Sequence, residues 1–84
     1  MKVRGLKKGE MLASLTIGEK ARIQRFSSSK LEIEMLKMGV VTGDEFTLSN
    51  KAPLGGPMAI EVNGTKISLR KRDAKHIWTQ KETN

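Results

Sequence analysis

Cysteine is absent from this chain of 84 residues, so neither a disulfide nor a thiolate metal centre holds it together, and a reducing cytosol is its natural setting. Histidine occurs once, as His76, too few imidazoles for a site that needs several ligands to converge on one metal. Aromatic residues make up 4% of the chain, as Phe26, Phe46 and Trp78, a small stock for the stacking platforms on which single-strand nucleic-acid binders lay bases. Long apolar runs are also missing. The longest reach only a few residues, against roughly 20 for a membrane span. At the start, Met1 to Lys8 carries a charge every two or three residues, with no apolar h-region, so no signal peptide is expected. The chain offers no Ser–His–Asp arrangement, no paired buried carboxylates and no phosphate-cradling Gly-Lys-Ser/Thr loop. These absences point away from catalysis and toward a binding domain.

What is present is the composition of one globular domain, with 37% hydrophobic and 30% charged residues. A chain of this length supports a single core and buries only about 60–65% of its unfolded surface. The formal net charge is +7, which attracts phosphate, anionic lipid or an acidic protein face. Positive charge gathers at Lys2, Arg4, Lys7 and Lys8, and again at Lys66, Arg70, Lys71, Arg72 and Lys75. A solvated, solubilising face accounts for such charge without any partner and is the simpler reading.

Along the chain, residues 1–10 form a basic, glycine-punctuated lead-in that is expected to be flexible. Met11 to Leu15 makes a short apolar turn. Lys20 to Phe26 alternates Ala21 and Ile23 with Arg22 and Gln24, the pattern of a half-buried strand. Ser29 and Glu32 are spaced as a capping box for a helix whose buried face is Leu31, Met35 and Met38, and Gly39 supplies the left-handed stop. After the Thr42-Gly43-Asp44 turn, a second strand points Phe46 and Leu48 inward. The loop from Asn50 to Pro57 leads to a third strand with Met58, Ile60 and Val62 on one face. Asn63-Gly64 is a strong type I′ hairpin signal, and the fourth strand, Thr65 to Leu69, buries Ile67 and Leu69. Asp73 is placed to cap a single helical turn before Ile77-Trp78-Thr79 returns to strand. Five short strands in so short a chain must close on themselves or expose their edges. The expected fold is therefore mainly β, a small partly open barrel with one inserted helix, occupying residues 11–80 with a disordered tail at 81–84.

The motifs from Leu15 to Ile77 carry a further signal. Gly18-Glu19-x-Ala21-Arg22-Ile23, Leu36-x-x-Gly39, Gly43-Asp44-x-Phe46, Ala52-Pro53-Leu54-Gly55-Gly56-Pro57 and Ile67-x-Leu69-Arg70-x-x-Asp73-Ala74-x-x-Ile77 follow one another in this order. Together they resemble the ferrous iron transport protein A family, FeoA, over about three quarters of the chain. The resemblance implies an SH3-like β-barrel that is cytosolic and has no enzymatic activity. It also implies a partner, the cytosolic GTP-binding region of the membrane ferrous iron transporter FeoB. Two features depart from the family pattern: the longer basic lead-in, and Trp78, where a smaller β-branched residue is more typical.

Candidate partner-binding residues fall in two places. Pro53-Leu54-Gly55-Gly56-Pro57 combines two fixed-φ prolines with two glycines and displays a leucine between them, the build of a rigid contact loop. The same residues also suit a tight barrel corner in which Leu54 folds back over the core. Arg70, Lys71 and Arg72 suit carboxylate or phosphate. A local Arg70–Asp73 pair, if exposed, contributes under about 1 kcal/mol, so stability gives the cluster little reason to exist and a binding role is favoured. For iron itself, His76 beside Asp73 is too sparse a ligand set, and Met35, Met38 and Met58 lie on apolar faces. No metal site and no cofactor are expected. The competing reading is a small basic barrel that binds nucleic acid. A third reading, a module like the C-terminal barrel of iron-dependent repressors, lacks the helix-turn-helix that would precede it.

Overall fold

In the computed structural model, which describes residues 9–81, the alternating segments pair into one antiparallel sheet. Its strands are β1 (Glu10–Met11), β2 (Lys20–Phe26), β3 (Glu45–Lys51), β4 (Met58–Val62), β5 (Thr65–Leu69) and β6 (Ile77–Lys81). A 3-10 turn covers Leu12–Ser14, helix α1 covers Ser29–Lys37 and helix α2 covers Lys71–Ala74. The strand order is β1-β6-β2-β3-β4-β5. The outermost strands, β1 and β5, do not pair, so the barrel is partly open, as expected. No helix among the described residues is long and apolar enough to cross a membrane.

Four of the strands arise where period-2 alternation gave them, and the inward faces agree. Ala21, Ile23, Phe46, Leu48, Ile60, Val62, Ile67 and Leu69 all enter one continuous core with Leu12, Leu15, Met35 and Ile77. The sixth strand, β1, was not expected. It is two residues long and has no alternation to read. It exists because Glu10 and Met11 pair with Thr79 and Trp78, and because the buried Thr79 hydroxyl donates to the Glu10 carbonyl at 2.9 Å. Glu10, assigned above to the lead-in, and Lys81, assigned to the tail, are thus strand residues. Residues 1–8 and 82–84 of those two segments lie outside the described residues.

Three local expectations are corrected. Helix α1 is capped by Ser28, not Ser29. Ser28 is extended (φ −132°, ψ 117°) and its hydroxyl accepts from the Leu31 N–H at 3.2 Å, so Glu32 sits one residue too late for a capping box. It still places negative charge in the first turn, where the helix dipole favours it. Met38 is not on the buried face. The helix ends at Lys37, and the last turn tightens as the Met38 N–H bonds back to the Met35 carbonyl. That rotates Met38 off the 3.6-residue period to 50% exposure, and Val40 fills the core instead. Asp73 does not cap α2: the cap is Arg70, without a side-chain hydrogen bond, and Asp73 lies inside the first turn. Gly39 adopts φ 84° as expected, and Asn63 and Gly64, at φ 53° and 77°, form the type I′ hairpin.

Candidate functional site

The loop between β3 and β4 is closed at its base by an Ala52 N–H to Pro57 carbonyl bond of 2.9 Å and within by a Gly56 N–H to Pro53 carbonyl bond of 3.1 Å. Leu54 does not fold back over the core. It stands at φ 59° with 103% relative exposure. Glycine at position 56 is forced by close approach, since a Cβ there would meet the Ala52 Cβ at 2.7 Å. The tight corner and the displayed leucine therefore coexist.

The two candidate clusters of the sequence meet only in part. The Lys71 side chain reaches the loop, its Cδ 4.0 Å from where a Cβ on Gly55 would lie. Arg70 and Arg72 instead line a groove of about 420 Å³ between α1 and the end of β5, together with Lys30, Ser68 and Asp73. No ion pair joins Arg70 to Asp73. Among the described residues, Lys30, Arg70, Lys71, Arg72 and Lys75 all lack ion pairs, so none is held by a direct carboxylate contact.

Two arrangements escaped the sequence because they join distant segments. Ser27 Oγ lies 2.9 Å from His76 Nδ1, across 49 positions, and both residues are exposed. No carboxylate hydrogen-bonds to the imidazole among the described residues, so the pair lacks the orienting acid of a catalytic triad. The Arg25 guanidinium sits 4.9 Å from the centroid of the Trp78 ring, within cation–π range. No alternation or motif spacing signals either contact. Among the described residues no three His, Cys, Asp or Glu side chains gather to hold a metal.

The family model described as the FeoA domain matches residues 11–81. The NMR structure of a FeoA-like protein from Clostridium acetobutylicum is 32% identical, with 94% of this chain and 93% of that one covered and a TM-score of 0.81. The solution structure of iron(II) transport protein A from Clostridium thermocellum is 36% identical over 86% of this chain and 45% of that one, with a TM-score of 0.77. A manganese-dependent transcriptional repressor in complex with manganese shares the fold alone, at 14% identity and a TM-score of 0.80, over 88% of this chain and 37% of its own length. No curated protein matches significantly in sequence. The mainly β, SH3-like architecture is common to this chain and these structures.

Proposed function

As the chain belongs to the FeoA domain family, we propose that it is a cytosolic accessory protein of ferrous iron uptake that binds the cytosolic GTP-binding region of the membrane transporter FeoB. The match over residues 11–81 carries this reading, and the likeness to an iron(II) transport protein A supports it. The proposed contact is the loop of Pro53, Leu54, Gly55 and Gly56, with Lys71 beside it, while Arg70 and Arg72 line the groove beside α1. An exposed leucine held by a closed corner loses little further freedom on binding, and burying such a side chain is worth about 1.5–3 kcal/mol. The basic residues add attraction to an acidic face and speed encounter. Iron would travel through the transporter and not on this chain. Ferrous iron added without oxygen should then leave the thermal unfolding midpoint unchanged, since only a ligand of the folded state raises it.

Nucleic-acid binding is disfavoured by where the aromatic rings lie. Phe46 is buried, Phe26 packs against the core, and Arg25 lies over one face of the half-buried Trp78, so the stock of rings for base stacking is small.

The deciding experiment titrates labelled protein with the purified cytosolic GTP-binding region of the matching transporter, wild type and Leu54→Ala, at low and moderate salt. The reading expects saturable binding, weakened about tenfold or more by the substitution and moderately by salt. Absence of binding with both proteins folded overturns it. Affinity for single-stranded DNA or RNA that survives moderate salt would favour the competing reading.

A further inference from the structure

The sheet ends in a free edge at β5. This strand hydrogen-bonds to β4 on one side and to no strand on the other among the described residues. The hairpin fixes which groups that edge presents. Val62 faces Thr65 across the two-residue turn, so Thr65, Ile67 and Leu69 exchange hydrogen bonds with β4, while the N–H and C=O groups of Lys66 and Ser68 point away from the sheet. Neither residue finds another backbone partner among the described residues. Edges of this kind are normally blunted by charge or covered. Lys66 is charged, but Ser68 opens onto the groove beside α1.

The groove has the chemistry to receive a strand. Its floor includes the buried side chains of Leu31, Met35 and Leu69. On its rim stand Lys30, Arg70 and Arg72 without ion pairs, against two carboxylates, Glu34 and Asp73. We propose that this groove takes an extended acidic segment of a partner protein, which adds as a further strand along β5 at Ser68. Alternate side chains of such a segment point to opposite faces, so apolar ones reach the floor while glutamates or aspartates between them meet the arginines as forked, charge-assisted hydrogen bonds. Backbone pairing with Ser68 aligns the segment along β5, and the excess of cations over carboxylates in the groove sets its sign. The surface is separate from the Leu54 loop, and the inference does not depend on the transporter reading.

The test uses two fluorescein-labelled peptides of alternating glutamate and valine, one unmodified and one N-methylated on alternate amides, titrated into the full chain by anisotropy. A lysine–valine peptide serves as the charge control. Saturable binding of the unmodified peptide is expected, about tenfold or more weaker for the N-methylated form and lost for the lysine form. Binding should shift the backbone amide signals of Lys66 and Ser68. Arg70→Glu and Arg72→Glu, both at exposed positions, should each weaken it about tenfold, while Leu54→Ala leaves it unchanged. Equal affinity for the plain and N-methylated peptides would reduce the site to charge alone and overturn strand addition. So would no binding up to millimolar peptide, or amide shifts confined to residues 54–56.

Discussion

Leu54 combines a left-handed backbone, φ 59°, with a side chain that touches nothing, at 103% exposure. A non-glycine residue in that region costs roughly 1–2 kcal/mol, and no burial of Leu54 offsets the cost in the free protein. Such strain points to a contact made elsewhere. Leu54→Asn should therefore stabilise the fold by about 0.5–1 kcal/mol, because asparagine tolerates this conformation, while weakening the proposed contact with the transporter. Urea unfolding reads the first effect as a higher midpoint at unchanged slope. A lower midpoint would mean that Leu54 packs against the fold after all. The pattern Pro53 to Pro57 marked this loop in the sequence, but not the direction of its leucine, which depends on how the closed loop sits against the rest of the fold.

At the level of elements, helix α1 is specified by its ends. Its first turn rests on one side-chain bond, from the Leu31 N–H to the Ser28 hydroxyl. Ser28→Ala should cost about 1 kcal/mol, within the range of 0.5–2 for a lost cap. Ser29→Ala should cost little, since the Ser29 hydroxyl caps nothing here. Comparing the two thermal midpoints checks the assignment, and a larger loss for Ser29→Ala would return the cap to that residue. The spacing of Ser29 and Glu32 pointed to Ser29 as the cap, and the extended backbone of Ser28 places it one residue earlier. At the other end, the helical period placed Met38 inside. The tightened last turn moved it out, so a 3.6-residue pattern holds only as far as the helix itself runs.

Across the whole molecule, the beginning and end of the described chain are clasped together. Lys81, the last residue of β6, sits 2.9 Å from Glu19 and 3.8 Å from Glu10 of β1. The Thr16 backbone N–H, donating at 2.7 Å, and then Lys81 hold the Glu19 carboxyl below its usual value, and the hydrogen bond to Glu19 raises the Lys81 ammonium. A carboxyl with a depressed folded pKa stabilises the fold above its ordinary value of 4.5, and that contribution disappears as pH falls through the depressed one. Lys81 has the opposite sign, losing its share only as pH rises through its raised value. Glu19→Gln should therefore lower the urea midpoint at neutral pH, and its gap from wild type should close in acid. A gap that stays constant down to acid pH would show that the carboxylate charge is not what stabilises the clasp.

The sequence by itself determined β2 to β5, their inward faces, the hairpin at Asn63-Gly64 and the family. Those features follow from side-chain period, turn stereochemistry and motif order, all of which act over a few neighbouring residues. Only the tertiary structure decided the sixth strand, the separation of Arg70 and Arg72 from the Leu54 loop, the Ser27–His76 contact and the groove beside β5. Each of these depends on bringing together segments far apart in the chain, and local pattern carries no record of which surfaces meet when the sheet closes.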